Sequence, residues 1–165
     1  MGNQKEKEHT IFDAAKWFAA RKQSGLRMKK LQKLCYYAQS WSLALHDKPL
    51  FKGNFYAWAH GPVNQKLRKE FQDISYRKIT SSDFRDPERE LKFAPFDKEE
   101  RELLKRVWAT YGQYSGSELE ILTHQETPWL EQRTGLSPYE DSDNIIQEES
   151  MKSYYRNLYQ TGDDA

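Results

Sequence analysis

A chain of 165 residues with a formal net charge of +1 is long enough for one domain with a proper core and too short for two. The near-neutral charge gives no global field that would favour nucleic acid or an anionic membrane, and the absence of a long apolar run or signal segment predicts a cytoplasmic protein. Charged residues make up 31% of the chain and aromatic residues 14%, so we expect aromatic packing to supplement a small aliphatic core.

The amino-terminal residues are strongly polar. Residues 1–9 are predicted to be a disordered lead-in, and a first helix is expected from the Thr10 cap to about Lys22. The domain is expected to span residues 10–159, followed by a tail at 160–165.

The densest apolar stretch begins at Leu31 and predicts a central helix. Large apolar residues recur there at three- and four-residue spacing, with Leu34 and Ala38 as structural members, and apolar residues cover most of the circumference. Such a helix is a buried one, and it is expected to end before Pro49. The lysines at 29, 30 and 33 are expected to keep its first turn in water, with a phosphate-binding patch as the alternative.

The segment after the central helix predicts a short extended piece at residues 55–58, followed by a turn and a new helix. Pro62 suits the first position of a helix, and Gly61 can adopt the backbone angles that the preceding turn requires. The helix is expected to run from about Val63 to Phe71.

Further helices are predicted in the second half of the chain. A long connection at residues 73–95 precedes a helix opened by an Asp97–Glu100 capping box, and Ser117 with Glu120 repeats that pattern for a shorter helix. Trp129 is expected to anchor a proline-led turn. The last helix, near 148–159, should point four residues inward: Met151, Tyr154, Tyr155 and Leu158. These elements predict a mainly α fold, a single compact domain of about six or seven helices around a buried central helix, with at most a few short strands.

The sequence offers no set of residues typical of an enzyme. The four histidines never fall in a metal-binding pattern, so neither a metal site nor a cofactor is expected. Cys35 with His60 could form a thiolate dyad only if the thiol were not buried, and its apolar helical surroundings argue against that. His60 is expected either to hold an uncharged ring near a helix start or to satisfy a carbonyl group. His124 is expected to be structural.

Aromatic residues on the extended segment suggest a protein–protein interface. We expect Trp58 to belong to the core and Tyr56 to the surface, where an amphipathic ring is a typical interface anchor. A DNA-binding role is the alternative for the following helix, with Lys66, Arg68 and Lys69 as readers, although the low net charge opposes it.

Several motifs, in this order, resemble those of the Panacea domain, also described as a phage-associated or GepA-like family. The similarity extends over roughly residues 12–157. It is carried by LQKLCYYAQ at 31–39, PLF at 49–51, AW at 57–58, HGPV at 60–63, LEILTH at 119–124, PW at 128–129 and MKSYY at 151–155.

The resemblance implies an antitoxin, linked to prophages and phage defence, that binds a cognate protein toxin encoded by the adjacent gene. A proteolytic adaptor that delivers the toxin to a host protease is the alternative. The residues expected to bind the partner are Tyr37, Trp41, Tyr56, Trp58, His60 and Gln65. Those expected to be structural are Leu34, Ala38, Pro49, Gly61, Pro62, His124 and Trp129.

Overall fold

The predicted central helix is present and runs over Met28–His46 in the computed structural model, which describes residues 8–162. The mainly α class is confirmed. The helices of the described residues are α1 (Ile11–Ala19), α2 (Met28–His46), α3 (Gln65–Phe71), α4 (Lys98–Tyr111), α5 (Gly116–Thr123), α6 (Thr127–Leu130) and α7 (Glu148–Gly162), and the strands are β1 (Tyr56–Trp58) and β2 (Gly61–Val63). Short 3-10 turns occupy much of the connection between α3 and α4.

Helix α2 is surrounded by α1, α4, α5 and α7, which explains its apolar circumference. Leu34 and Ala38 are fully buried. The helix ends where Asp47 adopts a left-handed conformation with φ of 59°, and Pro49 follows on the exposed side of the turn. The prediction that its first lysines face water is wrong for Lys33, which is 1% exposed.

Two buried glutamines of α2 hold the polypeptide that follows the helix. Gln39 Oε1 accepts from the N–H groups of Leu50 and Phe51, and its Nε2 donates to Phe51 O at 2.7 Å. Gln32 binds both the N–H and the carbonyl of Asn64, at 2.8 and 2.9 Å. Each side-chain amide therefore provides hydrogen-bond partners for buried backbone N–H and carbonyl groups that lie outside helices and sheets.

The predicted extended segment is the first strand of a two-stranded antiparallel hairpin. Trp58 pairs with Gly61, and Gly61 has the positive φ of 102° that the tight turn requires. Pro62 does not begin a helix, contrary to the prediction, because it lies in β2 opposite Ala57. The cap is instead Asn64, whose Oδ1 accepts from Leu67 N at 3.0 Å.

The capping-box patterns in the sequence predicted the start of α4 correctly and the start of α5 two residues too late. Asp97 and Glu100 form the predicted capping box. The cap of α5 is Ser115 with Glu118 rather than Ser117 with Glu120, because Ser115 is the residue with extended backbone. Glu120 is thereby left free to bind side chains outside its own helix.

The described structure includes residues at both ends that the sequence analysis assigned to the lead-in and the tail. The ring of His9, assigned to the lead-in, lies 3.0 Å from the Asp13 carboxylate, whereas residues 1–7 lie outside the described residues. Helix α7 continues through 160–162, which were assigned to the tail, and residues 163–165 are outside the description. Leu158 is 38% exposed rather than inward, since the inward positions of α7 are Met151 and Tyr155.

Candidate partner-binding surface

A short extended segment pairs with the free edge of β1 and extends the outward face of the hairpin. Ala57 N donates to Asn144 O at 2.9 Å and Ile146 N donates to Phe55 O at 2.8 Å, so residues 144–146 run beside β1. Successive side chains of a strand alternate between the two faces of a sheet. The inward side chains are the buried Phe55, Ala57, Pro62 and Ile146.

Val63, opposite Tyr56 on the outward side of this small sheet, is buried. The more accessible side chains there form what we call the hairpin face, defined by Tyr56, Trp58 and Ile145. Tyr56 and Ile145 are paired by an antiparallel β-bridge. Tyr56 and Trp58 are half-buried, and Ile145 is 36% exposed. The expected contrast between a core Trp58 and a surface Tyr56 is wrong, because residues two apart on a strand share one face.

Helix α3 flanks the hairpin face. The Arg68 guanidinium lies over the Trp58 ring, 5.0 Å from its centroid, within the range of a cation–π interaction. Gln65 is half-buried one turn earlier on the same side of α3. The structure therefore brings an aromatic pair, a cation and an amide to one area of the surface.

His60 forms the tip of the hairpin turn, with its side chain 71% exposed. Its Nδ1 lies 2.9 Å from Glu120 Oε1, and Lys29 Nζ lies 3.1 Å from the same oxygen. Burial opposes the charge on Glu120, but Lys29 and His60 together hold its pKa below its usual value. Neither predicted role of His60 is found, because no helix begins at Pro62 and the ring meets a carboxylate rather than a carbonyl group.

Lys33 lies directly beneath the hairpin turn. Its Nζ donates to Pro62 O at 3.2 Å, and burial lowers its pKa to about 7, with Glu120 opposing the shift. A Cβ atom at Gly61 would lie 2.6 Å from Lys33 Cε and would displace the end of that side chain, and the positive φ favours glycine there. The sequence analysis missed this buried lysine, although its spacing of four residues from Tyr37 places both on one face of α2.

The turn is also supported from α5 and α6. Trp129 Nε1 donates to Trp58 O at 2.9 Å, and the His124 ring stacks on Trp129 with centroids 4.1 Å apart. Burial lowers the pKa of His124 and so favours the uncharged ring. The Arg133 guanidinium, which the sequence analysis also missed, donates to Ala57 O at 2.8 Å.

Tyr37 and Trp41, the other predicted partner-binding residues, lie away from the hairpin face. Tyr37 is fully buried and stacks on Tyr111 with centroids 4.0 Å apart, so it is not available to a partner. Trp41 is half-buried and donates its indole N–H to Tyr111 OH at 2.9 Å. It lines a groove of about 330 Å³ between α2, α4 and α7, together with Leu45, Leu103, Val107, Leu158 and Tyr159.

A buried carboxyl group joins three helices beneath that groove. Glu126 Oε1 accepts from Tyr37 OH at 2.7 Å and from Tyr155 OH at 2.8 Å. Burial raises the pKa of Glu126 to about 7, although the two tyrosine hydrogen bonds favour its charged form. Glu126 immediately precedes α6, so its hydrogen bonds to Tyr37 and Tyr155 connect the start of α6 to α2 and α7. Its two partners are 89 and 29 residues distant, beyond the reach of local patterns.

Glu126→Gln is expected to remove a pH dependence of stability. The pKa of Glu126 rises on folding from 4.5 to about 7, so the folded state binds the extra proton and stability falls as pH rises through this window. The wild-type loss is expected to reach about 3 kcal/mol between pH 4.5 and 7. Glutamine keeps an oxygen that accepts from both tyrosines and carries no charge.

Urea unfolding of the two proteins at several pH values between 4.5 and 7.5 checks this expectation. His124, whose pKa is lowered by burial, is common to both proteins, so the difference between the curves isolates position 126. A difference that stays constant with pH would contradict the assignment.

Other kinds of site are not found in the described part of the chain. Within residues 8–162, no group of three or more histidine, cysteine, aspartate or glutamate side chains could hold a metal ion. No helix in that range has the length and apolarity needed to cross a bilayer. Cys35 is buried, which raises the pKa of its thiol far above the ordinary value and disfavours a nucleophilic thiolate.

Comparison with known proteins gives one match. The family model described as "Antitoxin SocA-like, Panacea domain" matches residues 31–130, well over half of the chain. The matched region contains all but the first three residues of α2, the hairpin and α3 to α6, and it ends before α7. No curated protein and no solved structure matches the chain.

Proposed function

The chain belongs to the SocA-like antitoxin family of Panacea domains, and from this membership we propose that it neutralises a cognate protein toxin by direct binding at the hairpin face. The proposal makes the protein a binding module rather than an enzyme. The gene next to its own is the proposed source of the toxin.

The observation that carries the choice of surface is the outward aromatic pair Tyr56 and Trp58, with Arg68 against the indole ring. Tryptophan, tyrosine and arginine are the residue types most enriched among those that dominate binding energy. All three residues lie within the family match.

The support beneath this surface favours tight binding. Gln32 and Lys33 hold β2 and the start of α3, while Trp129 and Arg133 hold β1 through its carbonyl groups. A surface that is already rigid loses little conformational entropy when a partner binds. The hairpin face is therefore suited to stoichiometric inhibition by contact.

The first test is growth of bacteria that express the adjacent gene, with and without this protein, followed by co-purification of the two products. Rescue with a stable complex supports direct binding. Rescue accompanied by disappearance of the toxin would indicate a proteolytic adaptor instead. Absence of rescue would contradict the antitoxin proposal and direct attention to DNA binding.

Trp58→Ala is expected to weaken the complex by about 30-fold or more, the effect of losing an interface residue worth about 2 kcal/mol. Trp17→Ala is the matched control, because Trp17 is also half-buried and also contacts an arginine, but lies on α1. Binding is measured by calorimetry after circular dichroism has shown that both variants are folded. Equal affinities for the two variants would contradict the placement of the interface.

A further inference from the structure

We propose that the toxin surface that meets the hairpin face is acidic, and that Lys66, Arg68 and Lys69 of α3 receive its carboxylates. This inference rests on the proposed function and adds the chemistry of the partner. It concerns the flank of the hairpin face rather than the aromatic pair itself.

Helix α3 directs its cations outward because its apolar residues are taken by the core. Leu67 and Phe71, four residues apart, are both fully buried. The remaining face of this helix carries Lys66, Arg68 and Lys69, and all three are exposed. Arg68 thus lies against Trp58, and Lys66 and Lys69 are exposed on the same short helix beside the hairpin face.

These charges are not neutralised within the described part of the chain. None of the three cations forms an ion pair with any residue in 8–162. Lys29, at the other side of the hairpin turn, is by contrast paired with Glu120. The nearby Asp73 is bound by Arg89. With a net charge of only +1 for the whole chain, this concentration of positive charge is local.

Arg68 joins the charged flank to the aromatic surface. With its guanidinium over the indole ring, its N–H groups can still donate to a carboxylate in the plane of the guanidinium. A partner carboxylate there would lie next to a side chain that buries apolar surface against Trp58. Electrostatic complementarity of this kind raises association rates and selects partners.

A folded protein fits these features better than nucleic acid does. Phosphates would satisfy the three cations, but the hairpin face beside them also presents Tyr56 and Ile145 for burial. Helix α3 has only seven residues, about two turns, and its apolar side is fixed in the core. An acidic patch beside apolar side chains on a protein matches both parts of the surface.

The test compares two charge-reversal variants of equal net charge. The α3 variant carries Lys66→Glu and Lys69→Glu and leaves Arg68 and the aromatic pair intact. The matched control carries Lys98→Glu and Lys105→Glu on α4, where both lysines are also exposed. Association with the purified product of the adjacent gene is measured by stopped flow at low and high salt. The α3 variant is expected to associate about tenfold more slowly than the control at low salt, and the difference should vanish above about 0.5 M salt.

The outcomes separate this inference from the proposed function. If the wild-type protein binds and both variants associate at the same rate, the partner surface is not acidic and the inference is overturned while the antitoxin proposal stands. Faster association of the α3 variant would overturn it as well. If the wild-type protein does not bind the gene product, the proposed function fails and the inference with it. If the wild-type protein instead shifts promoter DNA and the α3 variant does not, the cations serve nucleic acid and the inference is wrong.

Discussion

Tyr155→Ala is expected to lower the free energy of unfolding by about 3–5 kcal/mol, the range found when a large buried aromatic side chain is removed from a core. Tyr155 of α7 is fully buried. Its ring meets Tyr36, Tyr37 and Trp41 of α2 with centroids 5.5–6.2 Å apart. The substitution leaves a cavity among these rings and removes one of the two hydroxyl groups that bind Glu126.

Tyr159→Ala is the matched control on the same helix. Tyr159 lies one turn later, is 44% exposed and contacts the edge of Trp41 and the Arg106 guanidinium. Its loss is expected to lower the free energy of unfolding by less than about 1 kcal/mol. Urea denaturation followed by circular dichroism measures both values, and similar losses for the two variants would contradict the role of Tyr155.

The packing of Tyr155 on α2 places part of the core outside the family match. The match ends at Leu130, whereas α7 lies beyond it and packs along α2. Without α7, the faces of Tyr36 and Tyr37 that meet Tyr155 would be exposed to water. Residues 31–130 therefore carry the hairpin face but lack part of the core that supports it.

The elements that sequence predicts well are those set by neighbouring residues. The periodic apolar pattern located α2 and its end before Pro49, and the Asp97–Glu100 box located α4. The mainly α class followed from such local patterns. Pro62 shows where they fail, because proline is compatible with both a helix start and a short strand, and pairing with Ala57 decided the outcome.

The candidate site depends more on contacts between distant residues. Tyr56, Trp58 and His60 are neighbours in the sequence, but Ile145 joins this surface through a β-bridge with Tyr56, 89 residues away in the chain. Arg68 reaches Trp58 only because Asn64 starts α3 where it does. The sequence pattern favoured a solvated Lys33, because its hydrogen-bond acceptor, Pro62 O, lies in β2 and cannot be recognised from the residues of α2.

Lys33 gives the second large effect, a stability that rises with pH above neutrality. Folding lowers its pKa from 10.5 to about 7, chiefly through burial. Between these values the unfolded chain binds the proton that the folded protein has released, so the free energy of unfolding increases with pH. We expect an increase of about 1.5 kcal/mol between pH 7 and 8.5 from this group alone. Below pH 7 the lysine is protonated in both states, and the full penalty of burying the ammonium group remains.

Lys33→Met is expected to abolish this dependence, because methionine fills similar space without a charge. The variant loses the hydrogen bond to Pro62 O, worth about 1 kcal/mol, yet it should be more stable than the wild type at pH 6 by about 2 kcal/mol or more. Chemical denaturation of both proteins at pH 6, 7 and 8.5 provides the measurement. Lys105→Met is the control, since Lys105 is exposed on α4. A wild-type stability that does not rise above pH 7 relative to Lys33→Met would show that water or Glu120 solvates the ammonium group. If the dependence appears as expected, the amine that binds Pro62 O of β2 is largely neutral only at slightly alkaline pH. Partner binding by the Lys33→Met variant would then show whether the charge of Lys33 affects the hairpin face.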